Sequence, residues 1–284
     1  MTVRLAVIAV VGLAGCFDRR PPGLIVCHNA NCATGTNPFQ DANLASLDRS
    51  LALQYRGKPA ADGMELDTVW DSAGGRCLFA HDFEHQTGAL GSEAADRVAA
   101  YLAQPTDFVS WDGSNYFVKI ELKDTVSAAG ALHTPEELVN HYDCVFDMYA
   151  RITAAAVANN RDLVIAFEST VTLVRGLPSH PMWPGKEPQD GLHVRLIANV
   201  ESPGLHPEDL ASLRGDASRD GLDILSFHAS RIPDAIQQAY QALDVQVMIW
   251  MLDSALETFD VIQAFEPDYV DTNEAVLLRR WMED

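Results

Sequence analysis

Two short stretches of the chain place charged residues at alternate positions. Within Ala61–Asp82, Glu65 and Asp67 alternate with Met64 and Leu66. Within Tyr116–Lys123 (YFVKIELK), Glu121 and Lys123 alternate with Val118, Ile120 and Leu122. Alternate side chains of a strand share a face, so each stretch sets its charges on one side and its apolar residues on the other. Neighbouring carboxylates repel and lose hydration unless positive charge lies between them. Either stretch alone is explained by an exposed edge strand with solvated acids. The repetition, with His81 following a second short strand at Arg76–Ala80, gathers three acids, a lysine and a histidine near strand ends into a candidate site.

The elements that must position these residues alternate along the chain. The apolar run Leu24–Cys27 ends at His28, and helical spacing covers Asn43–Leu53 and Ser92–Gln104, the latter with Ser92 as cap. Thr-Pro-Glu-Glu opens a helix over Thr134–Asn159, with an N-cap, a first-turn proline and a capping-box glutamate. Asp162–Phe167 is a continuous apolar run, as expected of a strand buried on both faces. Further strands are expected at Val194–Val200, Ile224–His228, Val245–Met251 and Tyr269–Thr272, and further helices at Asp234–Leu243, Ser254–Phe265 and Asn273–Trp281. Eight strands mostly separated by helices, in this length, predict the α/β class and a (β/α)8 TIM barrel. Glu168–Leu192, rich in proline and glycine, is expected to form a long loop over the barrel mouth.

Barrels of this kind carry their chemistry at the C-terminal ends of the strands. His28, Glu65, Asp67, His81, Glu121, Lys123, Glu168, His228, Trp250 and Asp271 all fall at or near such ends. Lys119 shares a face with Glu121, which puts it inside the barrel beside a buried acid unless the strand is shorter. Asp82 either orients His81 or begins the next loop. His85, His133, His141, His180, His193 and His206 read as loop or helix-surface residues.

The start of the chain has a different character. Arg4 precedes an apolar run, Leu5–Leu13, too short to span a bilayer, and Leu13-Ala14-Gly15-Cys16 resembles a bacterial lipobox. Residues 1–15 are therefore expected to be a lipoprotein signal, Cys16 the lipidated anchor to a membrane outside the cytoplasm, residues 16–23 a tether and residues 24–284 a single domain. Loss of residues 1–15 removes Arg4 and moves the formal charge from −20 to −21. That surface repels nucleic acid and anionic headgroups, so a phosphate site would need a local cation. Cys27, Cys32, Cys77 and Cys144 remain, and an exported protein can oxidise them. Four cysteines allow three pairings and spacing does not choose among them. Cys27–Cys32 with Cys77–Cys144 is the pairing carried forward as a hypothesis.

Taken together, His28, Glu65-Leu66-Asp67, His81-Asp82, Glu121-Leu122-Lys123 and the late Trp250 resemble the glycerophosphodiester phosphodiesterase family in order and approximate spacing. The related phospholipase D (sphingomyelinase D) barrels share that order. The resemblance covers nearly the whole chain after the leader and is most specific from Gly63 to Lys123. It implies a barrel binding one divalent cation, Mg²⁺ or Ca²⁺, through Glu65, Asp67 and Glu121, with His28 and His81 as acid and base on a phosphodiester. The family's His-Arg-Gly is His28-Asn29-Ala30 here, so an arginine expected on the phosphate is missing. Asn29, Lys123 and Trp250 then form the substrate side. The residue chemistry agrees, since carboxylates suit a hard cation and imidazole titrates near neutrality.

Three functions follow from this reading. The first is a metal-dependent phosphodiesterase acting on glycerophosphodiesters or related lipid-derived headgroup diesters. The second is a phospholipase D-like enzyme acting by intramolecular attack on phospholipids or lysophospholipids, which an exposed apolar rim at Leu177, Met182 and Trp183 would favour. The third is a non-catalytic binding lipoprotein on a degenerate barrel.

Overall fold

The computed structural model describes residues 24–33, 41–105, 116–126, 130–187, 189–200, 221–229, 245–250, 259–260, 262–263 and 266–283. The leader, Cys16, the tether, the helix expected at 234–243 and most of that expected at 254–265 lie outside the described residues.

The described strands are β1 (Leu24–Cys27), β2 (Gln54–Tyr55), β3 (Lys58–Pro59), β4 (Gly63–Asp71), β5 (Arg76–Phe79), β6 (Tyr116–Leu122), β7 (Leu163–Thr170), β8 (Leu192–Val200), β9 (Ile224–His228), β10 (Gln246–Trp250) and β11 (Tyr269–Thr272). Eight of them, β1, β4 and β6–β11, form a parallel sheet in the order β1-β11-β10-β9-β8-β7-β6-β4, and pairing of β1 with β4 closes it into a barrel. β5 folds back antiparallel on β4, and β2 with β3 forms a separate short hairpin. The main helices are α1 (Leu44–Leu51), α2 (Gly91–Leu102), α3 (Pro135–Ala158), the single-turn α4 (Val171–Val174) and α5 (Ala275–Glu283). Among the described residues, no helix is long and apolar enough to cross a membrane.

Local chemistry explains the boundaries. The Asn43 side chain caps α1, and Thr134 with Glu137 forms the anticipated capping box of α3 behind Pro135. α2 starts at Gly91 rather than after Ser92, because the Glu93 carboxylate accepts the backbone N–H of Leu90 and fixes the cap two residues earlier. β7 runs on to Thr170, and α4 and a 3₁₀ turn at Leu177–Ser179 follow, so the region read as loop has short helical turns. Val174 and Leu177 are buried there, and the Tyr142 hydroxyl donates to the Leu173 carbonyl.

Inside the barrel the side chains are layered. An apolar floor of Val26, Phe117, Ala166, Ile197, Ile224, Met248 and Tyr269 fills the N-terminal end. Gly63 pairs with Phe117 at this level, and a Cβ at Gly63 would fall 2.5 Å from the Phe117 carbonyl oxygen. Glycine is required by that close approach of two strands. Above the floor, the same inward rows of β4 and β6 carry Glu65 opposite Lys119 and then Asp67 opposite Glu121.

Candidate functional site

The sheet register delivers the acids. Glu65 and Asp67 on β4, Glu121 on β6 and Glu168 on β7 follow one another across adjacent strands, because Asp67 is paired with Glu121 and Glu121 with Glu168. Glu65, Asp67 and Glu121 each offer a carboxylate oxygen within 4.8 Å of the others. Lys123 places its ammonium between two of them, 2.9 Å from Asp67 Oδ1 and 2.8 Å from Glu121 Oε1. Asp67 is fully buried, and its Oδ2 accepts no hydrogen bond among the described residues. Burial pushes the Asp67 carboxyl well above its ordinary range even though Lys123 opposes it. A buried carboxylate cluster with an orphaned oxygen, into which a cationic side chain already reaches, fits a hard divalent cation, so the three residues expected to hold Mg²⁺ or Ca²⁺ are brought together.

The two histidines flank this cluster. His28 lies at the end of β1 with Nε2 3.9 Å from Glu65 Oε2. Burial lowers its pKa to about 3, against the pull of Glu65, so its imidazole is neutral near pH 7. His81 follows β5 and shares a cavity of about 200 Å³ with Glu121, Lys123, Ser169, Thr170 and Asn199. Its side chain is 39% exposed and its Nδ1 lies 3.4 Å from Asp82 Oδ2. The positive charge of Lys123 and then burial lower its pKa, while Glu121 and Asp82 oppose them. Asp82 also bonds His85 at 3.0 Å, which gives His85 a fixed place beside His81 that its sequence position did not reveal.

The segment after His28 is shaped by Asn29 and Ala30, both at left-handed φ, 50° and 52°. The backbone N–H of Asn29 donates to Glu65 Oε2 at 2.7 Å, and its side-chain amide donates to Asp41. Asn29 is only 4% exposed, so in this structure its side chain braces the loop. The Cys27–Cys32 disulfide spans the turn, and Cys77–Cys144 ties β5 to α3. Trp250 is half-buried at the end of β10, its ring 5.9 Å from that of His28 and 4.6 Å from that of His228.

Several expectations need correction. Leu177 is fully buried and Trp183 packs against Phe146 and Phe167, leaving only Met182 of the proposed apolar rim exposed. His141 is fully buried, and the His180 side chain, 6% exposed, stacks on Phe146, so neither is a surface residue. Lys119 does lie inside the barrel, with Nζ 2.7 Å from Glu65 Oε1, 2.6 Å from Glu168 Oε2 and in contact with Asp271 Oδ2. Burial works against its charge, but Asp271, Glu168 and Glu65 outweigh burial and hold it well above the ordinary lysine value. The convergence of three acids on Lys119 was not foreseen, although the common inward row of Lys119 and Glu121 was its signal.

A closed eight-stranded barrel with acids at the C-terminal ends of its strands defines the class of fold. Solved structures of similar fold include the following three. A glycerophosphodiester phosphodiesterase from Parabacteroides distasonis superposes with a TM-score of 0.53 at 14% identity, covering 93% of this chain and 98% of that one. A phosphodiesterase from Oleispira antarctica, in complex with the product sn-glycerol-3-phosphate, gives 0.55 at 13% identity over 93% and 98%. A glycerophosphodiester phosphodiesterase from Thermotoga maritima gives 0.51 at 12% identity over 92% and 99%. No family model and no curated protein matches the sequence. At these identities the likeness is one of fold.

Proposed function

We propose that the chain is a divalent-cation-dependent phosphodiesterase that hydrolyses glycerophosphodiesters or related headgroup diesters. The observation that carries this reading is the convergence of Glu65, Asp67 and Glu121 at the barrel mouth, with His28 and His81 beside them. The barrels of similar fold whose names record phosphodiesterase activity support it.

Glu65, Asp67 and Glu121 would hold the ion, which when bound would neutralise a phosphate oxygen and charge developing on it. His28, buried and neutral, would take a proton from the attacking hydroxyl or water. His81 in its protonated form, which the Asp82 carboxylate favours, would give its proton to the departing alcohol oxygen, and the proton held by His28 would then pass to solvent. Lys123 would supply positive charge at the cavity wall, an electrostatic partner for the diester.

Phosphorus NMR of glycerophosphocholine incubated with the full chain tests the assignment. Hydrolysis gives a phosphomonoester signal that His28→Ala and His81→Ala abolish while their circular dichroism is unchanged. A cyclic phosphate would replace this reading by intramolecular attack, and no turnover of any phosphodiester with either cation would overturn it.

A further inference from the structure

Among the described residues, two groups of ligand-type atoms share Glu65: one is Glu65, Asp67 and Glu121, the other His28, Glu65 and Asp271. Paired divalent ions about 3.5–4 Å apart serve many phosphoryl-transfer enzymes, and two clusters with a common carboxylate lay out such a pair. Two of the three members of the second group, Glu65 and Asp271, are nevertheless already engaged by a cationic side chain of the protein, Lys119. The ammonium of Lys119 has three N–H bonds, and three acids from three strands meet it: Glu65 on β4, Glu168 on β7 and Asp271 on β11. We infer that Lys119 acts as a built-in cation at the second position and restricts this barrel to a single divalent ion. The inference rests on the metal reading given above.

The two lysines differ in a way that decides which cluster takes the ion. The Lys123 side chain is 18% exposed and lines the open cavity, so it can leave the carboxylates for solvent or substrate. That of Lys119 is 1% exposed, above the apolar floor that includes Phe117 and Ala166. Moving it would strand Glu65, Glu168 and Asp271 without compensation, and unpaired buried charge is strongly disfavoured. Asp271 Oδ1 and Glu168 Oε1 are buried and accept no hydrogen bond among the described residues, so these acids keep lone pairs that a metal would use if the ammonium were absent. Lys119 is thus a positioning residue: it holds Glu65 while leaving the Glu65–Asp67–Glu121 cluster to the ion.

Titration of the full chain with Mn²⁺, read by calorimetry and electron paramagnetic resonance, tests the inference. Wild type is expected to bind one Mn²⁺ with an isolated-ion spectrum. Lys119→Met is expected to bind two with a spin-coupled spectrum, and Lys119→Arg to return to one. Should Lys119→Met not fold, the double variant Lys119→Met with Glu168→Gln, which removes one of the stranded charges, is expected to give the same two-ion result. Two coupled ions in wild type, or one ion in folded variants lacking Lys119, would overturn the inference while leaving the proposed function standing. No bound ion in wild type would remove the metal reading and this inference together.

Discussion

His141 shows what one buried side chain contributes behind the strands that carry Asp67 and Glu121. The Thr68 hydroxyl donates to the Glu121 carbonyl at 2.8 Å, so its lone pair is left to accept the Nε2–H of His141 at 2.9 Å. His141 Nδ1 lies 2.9 Å from His133 Nε2, and His133 Nδ1 in turn faces the Asp124 carbonyl at 3.1 Å. Burial, and then His133, lower the His141 pKa to about 3, against 6.5 in the unfolded chain. Because the unfolded state binds this proton first, the contribution is present above pH 6.5 and is lost as pH falls from 6.5 toward 3. About 2 kcal/mol of that loss falls by pH 5, at 1.36 kcal/mol for each pH unit. Urea midpoints at pH 7 and pH 5 should therefore converge in His141→Gln relative to wild type; equal shifts in both would contradict it. From sequence His141 reads as a loop or helix-surface residue; the signal passed over is that Val145, Met148 and Ile152 follow on the same helical stripe and are buried with it. The bond to Thr68, from a residue 73 positions away, was not legible.

Between elements, the two disulfides do different work. Cys77–Cys144 joins β5 to α3 across a sequence separation of 67, and chain-entropy reasoning assigns such a closure about 4 kcal/mol. Cys27–Cys32, with a separation of 5, is worth about 2 kcal/mol on the same reasoning, but it brackets His28 and the left-handed Asn29 and Ala30. Non-glycine residues held at positive φ need surroundings that enforce them. Replacing both members of Cys77–Cys144 by serine should lower the denaturation midpoint more than the same change at Cys27–Cys32, whereas the second change should lower turnover more. Equal losses of turnover at equal folded fraction would contradict this division. Sequence left the pairing open among three choices; only the packing of β5 against α3 resolves it. The strand end bearing His28 was legible from the apolar run before it, and the strands bearing Glu65, Asp67 and Glu121 from repeated alternation. The short helical turns after Thr170 were not, because Val171–Val174 is β-branched at three of four positions and favours strand locally.

At the scale of the molecule, the barrel is a graded interior: apolar floor, a layer centred on Lys119, then the open cluster of Glu65, Asp67 and Glu121. Eight strands read in order along the chain were enough to anticipate closure, since parallel strands separated by helices pack as barrels or open sheets and the length matched a barrel. What could not be read is depth, because Lys119 and Lys123 share one inward row and differ only in their distance from the floor. A chain of formal charge −20 concentrates acids at the proposed site, and on that proposal a divalent ion would be the counter-charge that lets the site accept an anionic diester. The most direct measurement is turnover of glycerophosphocholine by wild type and Asp67→Asn, each in EDTA and after Mg²⁺ or Ca²⁺ is restored. Wild type should lose several kcal/mol of transition-state stabilisation in chelator, roughly 100-fold in rate or more, and regain it with the ion, while Asp67→Asn stays inactive in both. Undiminished turnover by wild type in EDTA, or full activity of Asp67→Asn, would contradict the account.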